Sequence, residues 1–224
     1  CLMNEASLVA DCVKAMRDVV DVPVTVKHRI GIDKIESYDF VRDFVGTVAD
    51  AGCKVFIVHA RNAWLQGLSP KENRDIPPLD YELVYQMKRE NPDLFVGING
   101  GIADLDAAVA HLEVMDGVML GRAAYHNTNL LADVDHRIYG DDACEFDYMS
   151  LRDAMMAYAA DYIDNGGRLG HVTRHMVGLF QGYAGARRFR QILSSDATKP
   201  GAGPEVIEAA FSQIDFNIPV KISA

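Results

Sequence analysis

The chain has 224 residues, of which 49% are hydrophobic and 24% are charged, and this is enough to bury the core of one large domain. Its apolar runs are short and interrupted, so the sequence excludes a transmembrane helix and a membrane partner. The four cysteines form no CxxC pair, which predicts a reduced, cytoplasmic protein without a metal site.

The first part of the chain alternates between amphipathic helices and short apolar strands. Apolar residues recur at helical spacing over residues 5–19, 37–51, 81–90 and 104–115. Asn4 and Asp104 are the predicted N-caps of the first and last of these helices. Strands are predicted at residues 22–27, 54–59, 96–102 and 117–121. Such near-continuous apolar strands are typical of a parallel sheet that is buried on both faces.

Polar residues and glycines follow each predicted strand at its carboxyl end. They are Lys27, His59, Asn99, Gly100, Gly101, Gly121 and Arg122. Barrel enzymes place their active sites at this end of the sheet, and they bind phosphate in the loops after strands seven and eight. The two strands that end in glycine are therefore predicted to bind a phosphate group, since glycine lets the backbone approach a ligand closely.

Four βα repeats do not close an eight-stranded barrel, which takes about 250 residues. The predicted fold is therefore α/β, with the C-terminal half of a (β/α)8 TIM barrel, strands five to eight, in residues 1–143. The chain starts at Cys1 without an initiator methionine, so we expect that an N-terminal part is missing.

The last part of the chain contains predicted helices and no predicted strand. The helices lie at residues 147–165, 171–180, 184–194 and 204–216, which predicts a small all-helical domain over residues 144–224. Residues 1–165 contain 15 basic and 28 acidic side chains, whereas residues 166–224 contain 7 and 4. Residues 166–195 contain no acid at all. A basic stretch in an acidic chain indicates a local contact with a polyanion.

Five segments of the chain carry a distinctive set of motifs. They are VTVKHRIG (24–31), FIVHARNAWLQGLSPKENRDIPPLDY (56–81), INGGI (98–102), DGVMLGRAAYHN (116–127) and GHVTRHMVGLFQGYAGARRFR (170–190). Together they resemble the tRNA-dihydrouridine synthases of the A type. The SPKENR loop and the RHM-x-x-LF-x-G segment are the most specific, because other flavin-dependent barrels, such as dihydroorotate dehydrogenases, share only the strand ends.

The resemblance implies an FMN-binding TIM barrel with a C-terminal helical domain. It also implies reduction of uridine to 5,6-dihydrouridine in the D-loop of tRNA, with NADPH as the reductant of FMN. In this family FMN passes a hydride from N5 to C6 of the uracil, and a cysteine donates a proton at C5. That cysteine belongs to an Asn-x-Gly-Cys-Pro motif, which is absent from this sequence. Cys1 matches a different position of the family, just before the Leu-Met pair that begins the next helix. No catalytic residue is therefore assigned, and the chain alone is expected to be inactive.

The resemblance also implies roles for the residues at the strand ends. Lys27 would lie beside the pyrimidine edge of the flavin, and His59 would lie by the flavin at the next strand end. The phosphate of FMN would be bound by Asn99, Gly100, Gly101, Gly121 and Arg122. Contacts with tRNA would come from Lys71 and Arg74, in a long loop predicted at residues 62–79, and from Arg187 and Arg190, which are three residues apart and share a helix face.

Two other functions fit the sequence. One is a different FMN-dependent barrel oxidoreductase that acts on a small molecule, although such a substrate needs no acid-free basic surface. The other is a non-catalytic RNA-binding fragment. A flavin absorbance band in the purified protein would separate these alternatives.

Overall fold

The computed structural model describes residues 2–35, 37–143 and 145–216. The chain divides into two compact units, Cys1–Leu120 and Gly121–Ala224. The first unit contains the parallel sheet, and the second contains only helices and turns among its described residues. The domain division that the sequence predicts, after residue 143, stays a prediction.

The first unit is built on four parallel strands that pair in the order of the chain. They are β1 (Val26–Arg29), β2 (Val55–His59), β3 (Phe95–Asn99) and β4 (Gly117–Met119). The register aligns Arg29, His59, Asn99 and Met119 in one row at the carboxyl edge of the sheet. The predicted α/β class with a parallel sheet is confirmed.

The strand bounds differ from the predicted ones at two functional positions. β1 begins at Val26 and ends at Arg29, because its length follows its pairing with β2 rather than the apolar run 22–27. Lys27 therefore lies within the strand and not at its end. β3 ends at Asn99, since Gly100 and Gly101 adopt φ angles of +116° and +70°, which a strand cannot continue.

Four helices alternate with these strands. They are α1 (Ala6–Arg17), α2 (Tyr38–Asp50), α3 (Tyr81–Glu90) and α4 (Leu105–Leu112). The Asp104 carboxylate accepts a hydrogen bond from the Ala107 amide at 2.8 Å, which confirms it as an N-cap. The prediction for Asn4 is wrong, because Asn4 lies in a short 3-10 turn and Glu5 takes the cap position without a side-chain bond.

The sheet is buried on one face only within the described residues. Phe56, Val58, Val96 and Ile98 are completely buried on the face that packs in the core of the unit. On the other face Lys27 is exposed, and Ile57, His59 and Asn99 are only partly buried. The expectation of burial on both faces is therefore met on one face. The partly open face carries the side chains that the sequence analysis selected.

The second unit packs its helices around a cluster of aromatic rings. Its helices are α5 (Arg122–His126), α6 (Tyr148–Asp164), α7 (Leu169–Thr173), α8 (Ala186–Ser195) and α9 (Glu205–Phe211). The Phe180 ring packs edge-on against Phe189 and Phe211 at centroid distances of 4.9 and 5.2 Å. The predicted helix 171–180 is shorter than expected, since α7 ends at Thr173, and turns lead from there to Phe180. Helix α5 was not predicted.

His28 is a titratable side chain within the core of the first unit. It is 6% exposed, and its ring packs near Phe44 and Phe56 at 5.2 and 6.0 Å. Nδ1 lies 2.7 Å from the carbonyl oxygen of Arg29, which fits a neutral ring that donates from Nδ1. Burial lowers the pKa of His28 from 6.5 to about 4, because the charged form loses its hydration.

This burial predicts a pH-dependent stability. Between pH 6.5 and pH 4 the unfolded chain takes up a proton that the folded chain does not, so stability falls as the pH falls. When the pH falls from 7 to 5, we expect the titration of His28 to lower the free energy of unfolding by about 2 kcal/mol. Urea denaturation at each pH measures this change. His28→Phe should remove that part of the pH dependence.

Phe56→Leu is the matched control, because it changes the same packing without removing a titrating group. Its loss of stability should be similar at every pH. A His28→Phe variant with the same pH profile as the wild type would contradict the prediction.

Candidate functional site

One amide side chain links three strands across the partly open face of the sheet. The Lys27 ammonium on β1 donates to Asn99 Oδ1 on β3 at 3.1 Å. Asn99 Nδ2 in turn donates to the carbonyl oxygen of Met119 on β4 at 2.7 Å. Burial, and secondarily the charge of Arg29, lower the pKa of Lys27. The site thus holds a partly desolvated cation beside a neutral amide, an arrangement that favours the binding of an anion.

Gly100 and Gly101 form a tight turn directly after β3. A Cβ at Gly100 would lie 2.6 Å from His59 Cδ2, and one at Gly101 would lie 2.6 Å from the Leu79 side chain. Tyr81 Oη donates to the carbonyl oxygen of Gly100 at 2.7 Å. Both glycines are therefore required by the packing of the unit itself, in addition to any ligand. This turn also brings His59 against Gly100 at the carboxyl edge.

Two arginines at the ends of β1 and β2 hold the long loop 62–79. The Arg29 guanidinium donates to the carbonyl oxygens of Asn62 and Asn73, both at 2.8 Å. Arg61 donates to the carbonyl oxygens of Asp75, at 3.2 Å, and Pro77. Neither arginine is among the site residues predicted from the sequence. A signal was available, because Arg29 and Arg61 each lie two residues after a selected residue, Lys27 or His59, and so reach the same edge.

The loop contributes two basic side chains, Lys71 and Arg74, and two acidic ones, Glu72 and Asp75. Lys71 and Arg74 are both exposed, at a short 3-10 helix over Glu72–Arg74. Burial lowers the pKa of Arg29, and the positive charges of Arg61 and Arg74 lower it further. Lys27, Arg29, Arg61 and Arg74 thus make one cationic edge in a chain whose net charge is −10.

The other predicted residues belong to the second unit. Gly121 occupies the N-cap position of α5 and Arg122 begins that helix, and both are exposed. Arg187 and Arg190 are exposed on α8, whereas Phe189 and Leu193 of the same helix are buried. The two arginines therefore share the solvent face of an amphipathic helix, as their spacing predicts.

The described cysteines do not lie at the cationic edge. Cys12 is exposed on α1. Cys53 is buried, and its Sγ lies 3.6 and 3.3 Å from the carbonyl oxygens of Val24 and Val55, either of which can accept its one proton. Burial raises the pKa of its thiol. Cys1 and Cys144 lie outside the described residues.

In the described part of the chain, no cluster of side chains could bind a metal ion. No helix in that part has the length and apolar character that a membrane span requires.

Comparison with known families identifies the chain. A family model described as dihydrouridine synthase (Dus) matches residues 1–215. The chain belongs to the dihydrouridine synthase family. It is 57% identical over 215 residues to the tRNA-dihydrouridine(20/20a) synthase of Salmonella typhi, and 56% identical over 215 residues to that of Escherichia coli (strain K12). It is 53% identical over 218 residues to the protein of the same name from Shewanella oneidensis.

These matches cover 96% or 97% of this chain. They cover only 65% or 62% of the relatives, so the chain spans less than two thirds of their length. A solved dihydrodipicolinate synthase structure from Oceanobacillus iheyensis aligns with 94% of this chain and 78% of its own, at 14% identity. Its TM-score of 0.26 is too low to support a conclusion.

The anchoring of the loop by Arg29 leads to a testable prediction. Arg29→Ala removes both guanidinium bonds to the loop carbonyls, and hydrogen bonds to charged groups are worth about 1.5–3 kcal/mol each. We expect limited proteolysis within residues 62–79 to become at least about tenfold faster, because local opening costs less. Arg89→Ala, at an exposed position on α3, should leave the rate unchanged. Equal cleavage rates in the two variants would show that Arg29 does not hold the loop.

Proposed function

We propose that this chain supplies the flavin-phosphate and tRNA contacts of an enzyme that reduces uridine to 5,6-dihydrouridine in the D-loop of tRNA. The observation that carries the proposal is 53–57% identity to proteins named tRNA-dihydrouridine(20/20a) synthase. The family is generally flavin-dependent. We assign FMN as the cofactor, NADPH as its reductant, and a cytoplasmic location, as the sequence analysis predicts.

We also propose that the first unit is the second half of a (β/α)8 barrel, with strands five to eight. Four parallel strands in chain order, joined by helices, are the repeating unit of such a barrel. The selected side chains lie near the carboxyl edge, which is where barrel enzymes bind their ligands. The partly open face of the sheet would be the barrel interior.

The cationic edge fits the chemistry of FMN. Reduced flavin and its phosphate both carry negative charge, and the Lys27 ammonium has a neutral amide as its hydrogen-bond acceptor. An anion next to Lys27 would therefore offset both its partial burial and its repulsion by Arg29. The glycine turn after β3 offers backbone groups that no Cβ covers, which suits close approach of a phosphate.

In this proposal the selected site residues bind or position the cofactor. Lys27 stabilises negative charge at the pyrimidine edge of the ring, and Asn99 orients the Lys27 ammonium. His59 packs beside the ring, while Asn99, Gly100 and Gly101, with Gly121 and Arg122, bind the phosphate. FMN bound to these residues would supply hydride-transfer chemistry for the reduction of uridine, with NADPH as its reductant.

None of the described cysteines supplies the proton. Cys12 is exposed on a helix and Cys53 has a raised pKa within the core, so neither is placed to act as an acid at the carboxyl edge. We propose that the proton donor is the cysteine of the Asn-x-Gly-Cys-Pro motif, which this sequence lacks, so the chain alone should be inactive. Lys71, Arg74, Arg187 and Arg190 are proposed to contact the tRNA backbone.

The flavin assignment can be tested in an extended protein, made by joining the N-terminal segment of a curated relative to this chain. Arg122→Ala should raise the Kd for FMN by roughly 10- to 100-fold, since a charge-assisted bond is worth about 1.5–3 kcal/mol. Lys27→Ala should retain FMN but form dihydrouridine more slowly. The exposed Arg89→Ala is the control for both variants.

FMN titration and analysis of the tRNA product are the two measurements. Unchanged FMN affinity in Arg122→Ala would remove that residue from the phosphate site. An extended protein that retains no flavin, or that reduces a small molecule in place of tRNA, would overturn the proposed function and favour the alternatives.

The tRNA contact predicts a specific salt dependence. Replacing Arg187 and Arg190 by Ala should weaken tRNA binding and reduce the slope of log affinity against log salt by roughly one for each lost phosphate contact. NADPH oxidation without tRNA should be unchanged. The control is Arg152→Ala on α6, a basic residue outside the acid-free stretch. The same slope and affinity in the double variant and the wild type would mean that the two arginines form only a solvated face.

A further inference from the structure

The second unit contains a cavity of about 530 Å³ between α6, α7 and the turns after α7. We name it the tyrosine cavity, because Tyr158 and Tyr162 form one of its walls. Its volume lies within the range of roughly 300–1,000 Å³ that is usual for ligand sites. Neither the predicted flavin residues nor the predicted tRNA residues line it.

The walls of the tyrosine cavity suit a flat apolar group. The Tyr158 and Tyr162 rings are nearly parallel, with an interplanar angle of 19° and centroids 6.3 Å apart. Leu151, Met155 and Met176 provide apolar surface beside them. The Tyr158 side chain is 56% exposed although it belongs to a helix that packs in the core of the unit. An exposed ring next to an apolar cavity is the arrangement on which single-stranded bases stack.

The rim of the cavity carries hydrogen-bond donors in a defined network. Arg174 Nε donates to His175 Nε2 at 3.1 Å, and His175 Nδ1 lies 3.0 Å from Tyr125 Oη. Because Nε2 accepts a bond, the neutral ring carries its proton on Nδ1 and donates to Tyr125. The Tyr125 hydroxyl and the other N–H groups of Arg174 can then donate outwards, to an acceptor such as a phosphate oxygen.

A second cavity extends this surface towards a predicted tRNA residue. It measures about 420 Å³, and it shares Arg174 and His175 with the tyrosine cavity. Arg190 and His126 also line it. No aspartate or glutamate lines either cavity in the described part of the chain. In a protein with a net charge of −10, the charged residues that line the two cavities, Arg174 and Arg190, are both basic.

We infer that the tyrosine cavity binds one unstacked nucleotide of the RNA substrate, with the base against Tyr158 and the adjoining phosphate on Arg174. The inference rests on the proposed tRNA function and deepens it. Aromatic walls fit a base of any sequence, because every base has a π-face. The cationic rim favours a nucleotide over an apolar peptide, which carries no negative charge to pair with Arg174.

The test compares Tyr158→Ala with Tyr158→Phe in the 224-residue chain and in the extended protein, by measuring tRNA affinity at several salt concentrations. Loss of the stacking ring should raise the Kd roughly 5- to 100-fold, because base–aromatic stacking is worth about 1–3 kcal/mol. The salt slope should not change, since no charge is lost. Tyr158→Phe keeps the ring and should bind like the wild type.

Two further variants separate the base contact from the phosphate contact. Arg174→Ala should weaken binding and reduce the salt slope by about one. Tyr139→Ala, at a position that is 74% exposed in the same unit and outside both cavities, should change neither quantity. Photocrosslinking of tRNA that contains 4-thiouridine should label peptides with Tyr158 or Met155.

If the wild type binds tRNA and Tyr158→Ala binds it as tightly as Tyr139→Ala does, the inference is overturned and the proposed function stays intact. A Tyr158→Ala variant that loses NADPH affinity but keeps tRNA affinity would also overturn it, and would assign the cavity to a free dinucleotide. A wild type that does not bind tRNA in either form would overturn the inference and the proposed function together.

Discussion

The candidate site depends on the amide of Asn99, which accepts from Lys27 and donates to the β4 backbone. An amide can do both because it carries an acceptor oxygen and two donor hydrogens. A carboxylate at this position would neutralise Lys27 and lose the donor to Met119. A hydroxyl would be too short to reach both strands. The neutral amide therefore binds Lys27 without compensating its positive charge.

Both units carry a local basic surface although the chain as a whole is acidic. The chain is acidic overall, so its long-range field repels nucleic acid, and a polyanion has to be bound by short-range contacts. In the first unit, Arg29 and Arg61 bind loop carbonyls and concentrate positive charge at one edge of the sheet. In the second unit, the acid-free residues 166–195 concentrate positive charge around Arg174 and Arg190. Each unit thus has its own surface suited to an anion.

Local signals predicted some elements well and others poorly. Helix α3 occupies residues 81–90 as predicted, because the Asp80 cap and the apolar spacing act within a few residues of each other. The helix predicted at 171–180 ends at Thr173, whose hydroxyl donates to the carbonyl oxygen of Leu193, a partner twenty residues away. A tertiary contact of this kind has no signature in the local pattern. The same holds for β1, whose bounds follow the position of β2.

The amino-acid sequence alone suffices for the family and the parallel α/β class. These follow from hydrophobic periodicity, glycine positions and motifs, all of which are local patterns of the sequence. Three-dimensional packing was needed to find that Asn99 links Lys27 to β4, that Arg29 and Arg61 hold the loop, and that two tyrosines of α6 border a cavity. These features arise from side chains that meet across large sequence separations, where hydrogen-bond direction and close packing select the partner and no local propensity does.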